Sequence, residues 1–192
     1  MKIPSASRYP IPKIEDLPQD IQERMLAVQE KAGFIPNVFL ALAHRPKEFR
    51  VFFNYHDALM EKESGLSKAD MEMIVVATSG ENNCQYCVVA HGAVLRIHAK
   101  HPLISDQVAV NYRKADITPR QMAMLDFAVK VCNESWAVGE KDIEALKEAG
   151  FSEEDIWDIA AITAFFGMSN RLANVLVMEP NAEFYNMARE MS

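Results

Sequence analysis

The chain has 192 residues, 49% of them hydrophobic, with a formal net charge of −7 and a pI of about 5.3. That length suits one domain or two small, closely packed units, and the apolar content supports a core that needs no metal or disulfide framework. No basic face follows a phosphate backbone, no run of about 18 apolar residues marks a membrane span, and no apolar leader opens the chain. The expectation is a cytoplasmic protein whose partners include neither nucleic acid nor membrane.

Residues 1–17 read as an extended arm lying on the body or on a neighbouring subunit, or equally as a partly disordered tail, because Pro4, Pro10, Pro12 and Pro18 remove backbone donors and disfavour helix before each proline. The remainder, 18–192, reads as a single all-helical domain. Gly is scarce and Met abundant, and Ala, Glu, Lys and Leu recur in long stretches without turn residues. A first helix is expected over 19–31, with Ile21, Met25, Leu26 and Val28 as its apolar stripe and Gly33 as its stop. A turn at 34–37 leads into a short helix ending near Ala43. Pro46 suits the first turn of a helix over 46–62, whose Phe49, Phe52, Phe53 and Leu59 are expected in the core.

Ser67 is the expected N-cap of the next helix, which carries Met71 to Ala77 and ends at Gly80. The β-branched run Ile74-Val75-Val76 has strand character, but the preceding cap and a length of about a dozen residues favour a buried helix. Asn82 or Asn83 is expected to cap a helix over 84–99, stopped near Pro102. Further helices are expected from Pro119, from Lys141 to Gly150, and from Ser152 onward. The starts 66–70 and 151–155 resemble each other, which leaves room for two degenerate helical units.

The chemistry concentrates in residues 81–91. Cys84 and Cys87 are three apart, and Cys87 and His91 four apart, so one helix face presents all three. A thiolate is the reactive form of cysteine, and a free thiol of pKa about 8.5 is mostly protonated near neutrality. A helix N-terminus favours the anion, and His91 can accept the proton or stabilise the charge. The second sulfur can resolve an oxidised first one. A Cys-x-x-Cys pair alone also serves metal sites, but zinc needs about four ligands. The other histidines are His44, His56, His98 and His101, with no second cysteine pair, so no metal is expected. Glu72, on the preceding helix, faces the cysteines if the two helices pack antiparallel. Cys132, Trp136 and Trp157 are expected in the core, the tryptophans alternatively at a subunit interface. His98 and His101 are expected to cap a helix C-terminus, and Asn170 and Arg171 either to snorkel or, the preferred reading, to pair with acids at an interface.

Glu72, eleven intervening residues, then Cys84-x-Tyr86-Cys87-x-x-x-His91 is similar to the active-site motif of the alkylhydroperoxidase D-like proteins of the carboxymuconolactone decarboxylase superfamily. The similarity extends through 33–38, 119–128, 149–160, Asn170-Arg171 and 180–185, which resemble the peroxidase-related branch. The resemblance implies a compact all-α fold, a homo-oligomer, no cofactor, and a hydroperoxide substrate reduced with an external thiol or dithiol. It implies Cys87 as the peroxidatic thiolate, Cys84 as the resolving thiol, and Glu72 and His91 as the proton relay. Tyr86 stands where the best-known members carry histidine; a phenol is a poorer base but can support the site through a hydrogen bond. Two other readings are a dithiol sensor or structural oligomer without efficient turnover, and a lactone decarboxylase-like enzyme, whose chemistry needs no dithiol.

Overall fold

The computed structural model describes residues 6–190, and over these it is all-α, with no strand. Residues 1–5 of the expected arm lie outside the described residues. From Ala6 the arm is non-helical and held to the body: Ala6 is buried, the Arg8 N–H donates to the Leu176 carbonyl at 2.8 Å, and Tyr9 stacks on His44. The extended path stops earlier than expected, because Ile14–Asp16 form a 3-10 turn before Pro18.

Three helices form the first layer: α1 (Gln19–Ala32), α2 (Asn37–Leu42) and α3 (Pro46–Met60). Gly33 ends α1 with φ 84°, a conformation that costs glycine little. Phe49, Phe53 and Leu59 are buried, whereas Phe52 is half-buried.

At the centre lies α4 (Lys68–Glu81), packed against α5 (Gln85–Ala99), α6 (Ile104–Asn111), α7 (Pro119–Glu134) and α9 (Glu153–Leu176). Residues 70–79 are all buried. This explains the strand-like run: a helix surrounded on every side has no polar face to show its period. Its start is fixed by a reciprocal cap, in which Ser67 Oγ accepts from the Asp70 N–H at 3.1 Å and Asp70 accepts from the Ser67 N–H at 3.0 Å. Ser152 and Asp155 repeat the arrangement at α9, and Thr118 and Gln121 at α7. The likeness between 66–70 and 151–155 is thus a shared capping box.

Gly80 does not stop α4, which continues to Glu81. A Cβ at Gly80 would lie 2.9 Å from the Ala109 carbonyl oxygen, so this glycine permits the close approach of α6. Gly80→Ala is expected to lower stability by about 1–3 kcal/mol, read as a shift in the chemical denaturation midpoint.

Two short helices escape the sequence reading. One is α6, whose buried apolar pair Ile104 and Val108 is too short a period to announce a helix and whose N-cap Leu103 offers no capping side chain. The other, after α8 (Glu140–Glu148), is the five-residue α10 (Ala182–Asn186). Buried Arg96 of α5 holds this last segment by donating to the Phe184 carbonyl at 2.8 Å and the Met187 carbonyl at 2.9 Å.

Among the described residues α9 is long and apolar enough to cross a membrane. Here its Ile156, Ile159, Ile162, Phe165 and Phe166 are buried in the protein. Trp136 and Trp157 are 82% and 71% exposed, so neither belongs to the core of this chain. Their indole N–H groups need partners when buried, which a purely apolar core does not supply.

Candidate active site

The turn between α4 and α5 sets the position of the cysteines. Asn83 takes the left-handed conformation, φ 52°, and Cys84 itself is the N-cap of α5. The expected asparagine caps are therefore displaced by one or two residues. Asn82 instead ties the turn to its surroundings, its Nδ2 donating to the Thr78 carbonyl and to Asn170 Oδ1, each at 3.0 Å. Cys87 follows in the first turn, where unpaired N–H groups favour negative charge.

Both thiols are free and buried. They share a hydrogen bond and titrate as a pair. The Cys87 S–H favours the Cys84 anion and, against the opposing effect of burial, brings Cys84 down to about 7; the Cys87 N–H, the Asn170 side chain and the His91 charge act in the same direction. Cys87 is pushed up by its hydrogen bond to Cys84 and by burial, with Asn170 and Ser169 opposing. The reduced pair thus holds one proton between two sulfurs near neutrality. A lowered pKa means that thiolate is present above about 7 and is lost as pH falls below it. Thiolate ultraviolet absorbance is expected to rise with a midpoint near pH 7, and Cys84→Ser is expected to remove that step.

Glu72 and His91 meet as the antiparallel arrangement requires. Glu72 Oε2 lies 2.8 Å from His91 Nδ1, and the imidazole ring stands edge-on to Phe166 at 4.7 Å. With Glu72 as a carboxylate, Nδ1 carries the proton and Nε2 is left to exchange one.

Tyr86 does not act as a base. Burial holds its phenol far above the ordinary value, and its oxygen accepts the Val38 N–H at 3.1 Å. It ties the start of α5 to α2.

A cavity of about 270 Å³ opens beside these groups, lined by Cys87, His91, Tyr86 and Ser169. Phe39, Phe52, Phe53, Phe166 and Phe184 form much of the apolar wall, and Arg24, His56, Asp57 and Glu61 add charge and polarity. Cys87 lines this cavity; Cys84, 0% exposed, is not among its walls. The sulfur that lines the cavity is therefore Cys87, while the lower pKa belongs to the sulfur behind it.

Several polar residues here have no counterpart in the cysteine motif. Asn170 is fully buried and donates to Ser79 Oγ at 2.9 Å, so it does not pair with acids at an interface. Its amide satisfies buried polar partners on α4, which an exposed site would not require. Arg171 points outward and bonds the Gly167 carbonyl at 2.6 Å. The usable signal was a polar residue interrupting the apolar run of α9. His56, Ser79 and Ser169 gave no such signal, since each is brought to the site by tertiary packing.

Cys132 is half-buried rather than fully buried and sits 3.3 Å from Asn82 Nδ2, outside the cavity. His98 is exposed, and His101 Nδ1 accepts from the Leu103 N–H at 3.2 Å, so it serves the approach to α6 instead of the carbonyls of α5. Among the described residues no three His, Cys, Asp or Glu side chains converge as metal ligands.

Residues 46–100, which span α3 to α5, match the model of the carboxymuconolactone decarboxylase family. The chain is 67% identical to the alkylhydroperoxidase AhpD core, an uncharacterized peroxidase-related protein, from Ralstonia eutropha JMP134; the match covers 96% of this chain and 97% of that one, with a TM-score of 0.96. An uncharacterized peroxidase-related protein from Silicibacter sp. TM1040 is 41% identical over 98% of this chain and 97% of its own, with a TM-score of 0.91. The debrominase Bmp8 shares the fold, with 19% identity, coverage of 95% and 96%, and a TM-score of 0.74. No curated protein matches. An all-α body, the paired cysteines beside a glutamate-bound histidine, and these similarities place the chain in the alkylhydroperoxidase AhpD-like, peroxidase-related group of the carboxymuconolactone decarboxylase family.

Proposed function

We propose that the protein is a thiol-dependent peroxidase that reduces organic hydroperoxides through a Cys84/Cys87 dithiol–disulfide cycle. The observation that carries this reading is a pair of free, buried sulfurs, of which only Cys87 lines the cavity, beside the Glu72–His91 contact.

The cycle starts with Cys84 as thiolate and Cys87 as thiol. As a hydroperoxide enters, the Cys87 proton passes to Cys84, and Cys87 attacks the terminal peroxide oxygen. An S–O bond forms and the O–O bond breaks. The electron pair leaves on the alkoxide, which takes one proton from the His91–Glu72 pair to become an alcohol. Cys84, now a thiol, attacks the sulfur of the Cys87 sulfenic acid, and water leaves with the Cys84 proton. An external dithiol then reduces the Cys84–Cys87 disulfide and is itself oxidised. The His91–Glu72 pair recovers its proton from solvent. The apolar walls suit the organic body of the substrate, which buries its surface there.

The test supplies reduced protein with cumene hydroperoxide and excess dithiothreitol. Sustained peroxide loss, with one disulfide per chain when the reductant is withheld, is the expected result. Stoichiometric thiol oxidation with no sustained consumption under any dithiol would replace the peroxidase by a dithiol sensor.

A further inference from the structure

The cavity holds a second imidazole that the cysteine cycle leaves unused. His56, on α3, lines the same cavity as Cys87 and His91. Its Nδ1 lies 3.1 Å from Asp57 Oδ1, and Asp57 Oδ2 accepts from Arg24 Nη2 of α1 at 2.6 Å. Burial acts to raise the Asp57 carboxyl, but the bonds from His56 and Arg24 outweigh it and hold Asp57 below the usual range. Asp57 is therefore an acceptor, and it fixes the proton of a neutral His56 on Nδ1. Burial keeps that imidazole neutral, pulling it below its ordinary value despite Asp57.

The remaining nitrogen is Nε2, which then presents a lone pair. Among the described residues it has no hydrogen-bond partner, yet no fully buried polar side-chain atom there lacks one. Nε2 is consequently accessible, in a residue that lines the cavity. Packing alone does not call for this arrangement, because a histidine serving only as a filler gains nothing from an anchored tautomer and an open acceptor. The Phe166 ring touches both imidazoles, His91 at 4.7 Å and His56 at 6.2 Å between centroids, so the two share one wall.

We propose that His56 is a substrate-binding residue whose Nε2 accepts the terminal O–H of a hydroperoxide and aims that oxygen at Cys87. The inference rests on the peroxidase reading. His56 gains and loses no proton. The oxygen it holds forms the S–O bond to Cys87 as the O–O bond breaks, and later departs as water when Cys84 closes the disulfide. The alkoxide proton still comes from the His91–Glu72 pair. Two imidazoles thus divide the work, one fixed by Glu72 to exchange a proton and one fixed by Asp57 to orient a donor.

The test compares wild type, His56→Phe, which keeps a ring and removes the acceptor, and His56→Gln, which restores an amide oxygen. With cumene hydroperoxide, His56→Phe is expected to lose about ten-fold in kcat/KM, the effect of one hydrogen bond present in the transition state, and His56→Gln to recover part of it. The rate at which methyl methanethiosulfonate blocks Cys87 is expected to stay unchanged in both variants, because that electrophile has no O–H to orient. Full peroxidase activity in His56→Phe would overturn the inference while leaving the peroxidase reading intact. A parallel fall in both reactions, without rescue by His56→Gln, would reduce His56 to a structural residue. A wild type with no turnover would remove the peroxidase reading itself, and this inference with it.

Discussion

Cys87→Ser is expected to lower hydroperoxide consumption by at least about 10³-fold, because a hydroxyl replaces the nucleophile of the cycle. Its effect on folding should be small. Serine is close to cysteine in size, and Asn170 and Ser169 stand ready to bond an oxygen there. Cys84→Ser is expected to behave differently. It leaves the sulfur that lines the cavity but removes both the first acceptor of its proton and the resolving thiol. One equivalent of peroxide should then be consumed slowly, and the Cys87 sulfenic acid should persist long enough to be trapped by dimedone and found by mass spectrometry. With continued peroxide it should advance to the sulfinic acid, which dithiothreitol does not reverse. The opposite pattern, with trapping on Cys84 in Cys87→Ser and sustained turnover, would exchange the roles of the two sulfurs. That outcome has a physical basis to be tested against, since Cys84 has the lower pKa. Position argues the other way: a thiolate without access to the cavity cannot reach the peroxide, whatever its charge.

How far the sequence disclosed this site follows from how local each feature is. Helical spacing alone put Cys84, Cys87 and His91 on one face, and the Glu72–His91 contact at 2.8 Å follows from two helices joined by a short turn. Ser67, Thr118 and Ser152 announced their helices because a capping box is written within four residues. What was hidden depends on distant partners. Gly80 reads as a helix stop until the Ala109 carbonyl is seen beside it. Asn82 and Asn83 both read as caps, and only the left-handed turn at Asn83 passes that position to Cys84. Asn170 stood out as polar within an apolar run, but its partners Ser79 and Asn82 lie 91 and 88 positions earlier in the chain. His56 comes from a helix with no part in the motif, and nothing in residues 46–62 distinguishes it from a surface histidine.

The pairing of Glu72 with His91 offers the second large effect. Glu72→Gln is expected to lower kcat/KM for hydroperoxide by about 10²-fold, the lower end of what a positioned proton-transfer group contributes. Glutamine preserves the size of the side chain between α4 and α5, so the change is mainly electrical. The carboxylate accepts from His91 Nδ1 and stabilises the imidazolium that forms when His91 holds a proton. An amide carbonyl accepts the same bond without the charge, and an amide N–H in its place reverses the tautomer. The His91 charge is one of the influences that lower Cys84, so His91→Ala, which removes that charge outright, should raise the thiolate midpoint above about 7, toward the ordinary thiol range. His91→Ala should produce a comparable loss of activity, and the double variant should be little worse than either single one, because two residues acting as a unit are not additive. Additive losses would separate Glu72 from His91. Full activity in Glu72→Gln would leave the relay without a function.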